Sequence, residues 1–227
     1  MAVRSAKVGD VIDGMYRVAN VLGRGGMATV YACHQSEDEQ LVAVKVLAVP
    51  DGGGQDIRKR FFNELLLATR VVHPNIVQVY DFGLFPDSGE PYIVMEHLSG
   101  LTLRQEIKRH GPLSPERTAR LFRGVLSALA DAHATGVVHK DLKPHNLFLC
   151  GRGTDEESLV VLDFGVAFRL GEGATSGKLD DLQLSGTPAY MAPEYILTQK
   201  IWPGLDVYQM GLVLAEAMAG RPLLSLK

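Results

Sequence analysis

His139-Lys140-Asp141-Leu142-Lys143-Pro144-His145-Asn146 is followed, one short hairpin later, by Asp163-Phe164-Gly165. Between the two motifs run Leu147-Phe148-Leu149 and Val160-Val161-Leu162, apolar stretches that read as paired strands. The hairpin brings two carboxylates, a lysine and an asparagine to one end of a sheet. A lysine suits phosphate oxygens, and Asn and Asp oxygens suit a hard cation. The plain alternative is a polar turn capped by Asp and Asn side chains.

This ordered pair resembles the catalytic loop and magnesium loop of protein kinases. The resemblance implies that Asp141 orients or accepts the proton of a substrate hydroxyl and that Lys143 neutralises charge on the transferring phosphate. It also implies that Asn146 and Asp163 hold Mg2+. His139 is expected to pack beneath the loop. Lys140 stands where many kinases carry arginine, whose bidentate grip on a phosphorylated loop a lysine cannot reproduce. Activity is therefore expected to depend less on phosphorylation at Thr175, Ser176, Ser185 and Thr187.

Working outward, Leu22-Gly23-Arg24-Gly25-Gly26-Met27-Ala28-Thr29-Val30 lies between two strands. That context argues against a dinucleotide fingerprint, which needs a strand followed by a helix. A purely structural glycine hairpin is the other reading. By resemblance it is the loop that covers ATP phosphates, with Ala28 in place of the third glycine. Val42-Ala43-Val44-Lys45 puts a lysine on an apolar strand: an edge lysine reaching solvent, or, by resemblance, the partner of the ATP phosphates paired with Glu64. The resemblance also places Met95, Glu96 and Leu98 at a hinge beside adenine, with Val30, Ala43 and Phe148 sandwiching the base. Apolar residues of this kind are core in any fold.

Gly186-Thr187-Pro188-Ala189-Tyr190-Met191-Ala192-Pro193-Glu194 closes a Gly/Ser/Thr-rich stretch and resembles the peptide platform of Ser/Thr kinases, while the run Leu22–Met27 with its Tyr16-Arg17-Val18 lead-in looks most like the bacterial branch of that family. Small-molecule kinases usually lack that platform.

Strand-like segments at Tyr16–Leu22, Thr29–Cys33, Leu41–Leu47, Ile76–Tyr80 and Tyr92–Met95, with a helix from Asp56 to Val72, predict a five-stranded antiparallel sheet with one helix. Beyond Gly100 the pattern is helical. Thr102 with Gln105 forms a capping box, and Ser114-Pro115 starts a helix whose buried face carries Phe122, Val125, Leu126 and Leu129. A last helix spans Asp206 to Met218. The fold class is therefore α+β, a bilobal kinase-like fold: an N-terminal extension (1–15), an N-lobe (16–98) and an incomplete C-lobe (99–227), with a cleft between the lobes. The chain ends soon after the helix that begins at Asp206, where kinases continue. A nucleotide-binding module without efficient turnover is the alternative to an ATP- and Mg2+-dependent Ser/Thr protein kinase.

Of the 227 residues, 46% are hydrophobic, enough for a sizeable core, and the net charge of -3 gives no general drive toward nucleic acid or anionic membrane. No apolar run reaches membrane-span length and the first ten residues lack a signal-peptide core. Cys33 and Cys150 read as small buried side chains, in keeping with a reducing cytoplasm. Protein substrates are the expected partners; oligomeric state is not legible.

Overall fold

A computed structural model describes residues 6–25, 28–47, 65, 69, 71–85, 89–163, 168–169, 177–178 and 186–224. The chain forms two compact units, Met1–Asn63 with Gln78–Leu98, and Glu64–Val77 with Ser99–Lys227.

The first unit is an antiparallel sheet of β1 (Val11–Ile12), β2 (Tyr16–Arg24), β3 (Ala28–Gln35), β4 (Leu41–Leu47), β5 (Val79–Leu84) and β6 (Pro91–Glu96). The strand order is β1-β2-β3-β4-β6-β5. Six strands stand where the sequence suggested five, because Val11–Ile12 pairs with Tyr16–Arg17 and Ile12 enters the core at 1% exposure. Alternation along β4 sends Val42, Val44 and Val46 into a core with Tyr31, Cys33, Tyr92 and Val94. Burial pushes the Cys33 thiol up to about 12. Tyr92 stacks edge-on against Phe85 and Tyr16, and its hydroxyl donates to Asp13.

The strand expected at Ile76–Tyr80 begins three residues later, at Val79. Ile76 and Val77 are committed elsewhere: Ile76 bridges Val161, and the Val77 N–H donates to the Val161 carbonyl at 2.9 Å. Asn75 secures the same segment, its side chain donating to the Leu159 carbonyl at 2.7 Å. Of the helix expected from Asp56 to Val72, Leu65 is helical and Thr69 N–H donates to its carbonyl at 3.0 Å; most of the remainder lies outside the described residues.

In the second unit, β7 (Gly100–Thr102), β9 (Leu147–Cys150) and β10 (Ser158–Val161) form a three-stranded sheet with β9 central. Gly100 allows the closest approach in that sheet: a Cβ there would sit 2.0 Å from the Leu149 carbonyl oxygen. Helix α1 (Leu103–His110) starts in the expected capping box of Thr102 and Gln105, and α2 (Pro115–Ala134) starts at Ser114, whose hydroxyl accepts from Arg117 N–H. The buried stripe of α2 contains Leu121, Phe122, Val125, Ala128, Leu129 and Ala132. Leu126, expected on that stripe, is 46% exposed. At 100° per residue it lies well off the centre of the stripe.

Short pairings complete the unit: β8 (Val137–Val138) with β11 (Phe168–Arg169), and β12 (Gly177–Lys178) with β13 (Lys200–Ile201). A 3-10 turn (Pro188–Tyr190), α3 (Pro193–Thr198) and α4 (Gly204–Ala219) close it. Helix α4 is apolar on its buried side except for Asp206, Gln209 and Glu216, and those exceptions organise the site.

Candidate functional site

The loop between β8 and β9 is held from below by α4. Asp206 is fully buried, and its carboxylate accepts three hydrogen bonds: from the His139 N–H (2.9 Å), the Lys140 N–H (2.9 Å) and His133 Nε2 (2.7 Å). One turn on, Gln209 accepts from the Leu142 N–H and donates to the Lys140 carbonyl, both at 2.8 Å. A buried carboxylate and amide thus satisfy backbone groups that would otherwise be costly to bury. They also hold Lys140 at φ 69, a left-handed conformation that a non-glycine residue resists.

His139 links the two motifs. Its Nε2 donates to the Leu162 carbonyl (3.0 Å) and its Nδ1 accepts from the Asp141 N–H (3.2 Å), which together select the Nε2–H tautomer. The ring is fully buried and supports the loop, as expected from the sequence.

Above this base the reactive groups converge. Asp141 Oδ2 accepts from Lys143 Nζ at 2.7 Å, and Oδ1 accepts from the Thr187 N–H and the Thr187 hydroxyl, both at 2.8 Å. Lys143 Nζ also donates to the Thr187 hydroxyl at 2.7 Å. Asn146 donates from Nδ2 to the Asp141 carbonyl at 2.8 Å, which fixes the orientation of its amide. The Leu162 N–H donates to the Asn146 carbonyl at 2.8 Å, so Asp163, the next residue, is tied to Asn146. Asp163 has φ 57, so both motif carboxylates follow or occupy left-handed residues. Two oxygen-bearing side chains on adjoining segments suit a hard cation such as Mg2+.

Gly186 explains how Thr187 reaches Asp141. Its φ is +121, and a Cβ there would lie 3.0 Å from the Lys140 carbonyl oxygen. Within the same Gly186–Glu194 segment, Tyr190 donates to Glu216 at 2.6 Å, and Arg104 donates to the same buried carboxylate at 2.9 Å. Burial and this hydrogen bond raise the Tyr190 phenol well above its ordinary value.

In the first unit the strand pairing decides between the two readings of Lys45. Strand β4 lies between β3 and β6, so Lys45 is on an interior strand and the edge-lysine reading fails. Lys45 pairs with Val30 and Ile93, while Ala43 pairs with Ala32 and Met95. The two-residue alternation puts Val30, Ala43, Lys45 and Met95 on one sheet face, opposite the Val42–Val44–Val46 core. Thr29 pairs with Val46 and falls on the core side instead, at 5% exposure. Leu22, Gly23 and Arg24 end β2, and the Gly25 N–H closes the turn on the Ala28 carbonyl at 2.8 Å. Glu96 donates its N–H to the Gln78 carbonyl at 2.9 Å, so that backbone group is committed within the sheet. Leu98 is half-buried, and Phe148 pairs with Val160 and Thr102 in the second unit's sheet. Gly26, Met27 and Glu64 lie outside the described residues.

Asp206, Gln209 and Gly186 carry positions that the motif reading left without a role. The first two had a visible signal: polar residues three apart on the inner side of an apolar helix.

The β-sheet unit, the helical unit and the Asp141–Lys143–Asn146 loop with its Asp163 neighbour define a protein-kinase domain. The model of the protein kinase domain family matches residues 16–227, and the chain belongs to that family. It is 36% identical over 215 residues to the serine/threonine-protein kinase pkn3 of Myxococcus xanthus, covering 94% of this chain and 39% of that protein. It is 35% identical over 214 residues to the serine/threonine-protein kinase PrkC of Bacillus subtilis, covering 94% of this chain and 32% of that protein. The chain thus spans 39% and 32% of the length of these two relatives. Among solved structures, the PknI kinase domain of Mycobacterium tuberculosis matches with a TM-score of 0.76 and 26% identity, over 97% of this chain and 80% of that one.

Proposed function

We propose that this domain transfers the γ-phosphate of ATP, with Mg2+, to serine and threonine hydroxyls of proteins. The observation that carries the reading is the Thr187 hydroxyl, which donates to Asp141 Oδ1 while accepting from Lys143 Nζ. A Ser or Thr hydroxyl in that position has its proton directed at a carboxylate and an ammonium beside its oxygen. Those are the two demands of phosphoryl transfer to an alcohol.

Asp141 orients the acceptor hydroxyl and takes its proton, and Lys143 balances charge on the phosphate. Asn146 and Asp163 hold Mg2+, which supplies charge neutralisation at the phosphates when bound. From the first unit, Lys45 serves the α- and β-phosphates with Glu64 as its partner, and Leu22–Val30 covers the phosphates. Val30, Ala43 and Met95 offer an apolar face to the base, and the Glu96 carbonyl and Leu98 backbone offer it hydrogen bonds. The named relatives are serine/threonine-protein kinases, which supports the acceptor class. No helix among the described residues is long and apolar enough to cross a membrane. A cytoplasmic location, where ATP is plentiful, goes with this reading.

The test is incubation with radiolabelled ATP, Mg2+ and a basic acceptor protein, followed by acid hydrolysis. Label should appear in phosphoserine and phosphothreonine and vanish with Lys45→Met; label in phosphotyrosine alone, or none in the presence of bound nucleotide, overturns the proposal.

A further inference from the structure

A cavity of about 540 Å³ opens in the second unit between the start of α2 and the turn that follows β9. Its wall holds Arg117, Arg120 and Arg152. Behind them stand two buried carboxylates, Glu106 at 0% and Glu157 at 3% side-chain exposure.

Arg117 spends all three guanidinium nitrogens inward: one on Glu106 at 2.9 Å, and two on Glu157 at 3.2 and 2.6 Å. Arg152 reaches Glu106 through Nε alone, at 3.0 and 2.9 Å to its two oxygens. Arg120 reaches Glu157 through one Nη at 2.7 Å. The carboxylates are therefore saturated from within. The side chains of Arg120 and Arg152 are 57% and 46% exposed and line the cavity, and their bonds to the carboxylates use one nitrogen of each. Hydrogen bonding from Arg117 holds Glu157 below the ordinary carboxylate range. Burial pulls Glu106 upward, but hydrogen bonds from Arg152 and Arg117 outweigh it. Both acids stay charged and keep the guanidiniums in place. Glu116, exposed at the mouth, is drawn back onto its own N–H and the Ser114 hydroxyl.

Planar guanidinium forks beside a helix N-terminus match the geometry and charge of a phosphate. The volume lies within the range of ligand sites and exceeds what a bare ion needs, leaving room for the residue that carries it. None of the described residues that line it is aromatic or aliphatic, the residue types that hold a nucleotide base.

We propose that this cavity binds a phosphate group carried on a protein segment, gripped by the remaining N–H groups of Arg120 and Arg152. Such a site would let the domain retain phosphorylated proteins by a surface separate from the catalytic loop. It does not depend on phosphoryl transfer by this chain.

The experiment is fluorescence anisotropy of the 227-residue chain without ATP, at low salt, with a labelled degenerate phosphoserine peptide library and its unphosphorylated counterpart. The phosphorylated library should bind at least about tenfold more tightly, and Arg120→Gln or Arg152→Gln should each weaken it by about tenfold, the scale of one charge-assisted hydrogen bond. Should Arg120→Gln lower the melting temperature, Arg120→Lys keeps the charge and loses the fork, and a smaller loss of affinity is expected. Equal binding of both libraries, or binding unchanged in both variants, overturns the site. Inorganic phosphate competing as well as the phosphopeptides overturns its assignment to a protein segment.

Discussion

Replacing Asp206 by asparagine tests how the catalytic loop is held. The change preserves shape and keeps one oxygen, which can still accept from Lys140 N–H. The other oxygen becomes an NH2 facing both the His139 N–H, which loses its acceptor in a fully buried site, and His133 Nε2, which can accept from the amide in its other tautomer. An unsatisfied buried N–H costs about 1–3 kcal/mol, and turning the charge-assisted bond at Lys140 into a neutral one costs about 1 kcal/mol more. The sum, roughly 2–4 kcal/mol, corresponds to a fall in melting temperature of roughly 5–15 °C for a domain of this size. The same change loosens the peptide that carries Asp141, and misplacement on the 1 Å scale costs about 100-fold in kcat. Nucleotide affinity should change little, since Asp206 holds the loop and His133 and no residue assigned to the nucleotide. Calorimetric melting and steady-state kinetics on the two proteins check this. If Asp206→Asn melts within about 1 °C of the parent and turns over at the parent rate, the anchoring role is wrong.

Gly186→Ala puts a Cβ 3.0 Å from the Lys140 carbonyl at φ +121, so kcat should fall with little change in the KM for ATP; normal kinetics would mean the approach is not needed. Thr187→Val removes the hydroxyl between Asp141 and Lys143, and turnover should drop about tenfold, the worth of one such hydrogen bond, with Thr187→Ser restoring it. For Glu106 and Glu157, folding lowers the pKa below the ordinary 4.5. Their contribution is therefore complete above 4.5 and lost as pH falls through the depressed folded values. Melting temperature should decline with acidification from about pH 5 downward, and Glu157→Gln should flatten that decline; an unchanged slope in the variant contradicts the assignment.

The residues proposed for catalysis, Asp141, Lys143, Asn146 and Asp163, were legible because they sit within one short segment whose order resembles the kinase loops. The capping box at Thr102 and the start of α2 at Ser114 were equally local, and both stand in the structure. What escaped is long-range. The anchors of the loop lie 66 to 69 residues away from their partners on α4, and no local pattern states which backbone a buried Asp will hold. Strand β5 escaped for a related reason: Ile76 and Val77 look like strand, but β10 captures them, while the true strand contains Asp81 and Gly83 at a sheet edge. Strand β1, two residues long, is too short to show a period. The sequence likewise could not choose between edge and interior for Lys45, since only strand order decides it.

The most direct measurement is single-turnover phosphoryl transfer by Asp141→Asn beside the parent, with ATP affinity measured calorimetrically on both. The rate should fall by about 10²–10⁴-fold while ATP affinity stays within about twofold, because Asp141 acts on the acceptor hydroxyl. Transfer by Asp141→Asn at the parent rate would contradict the account.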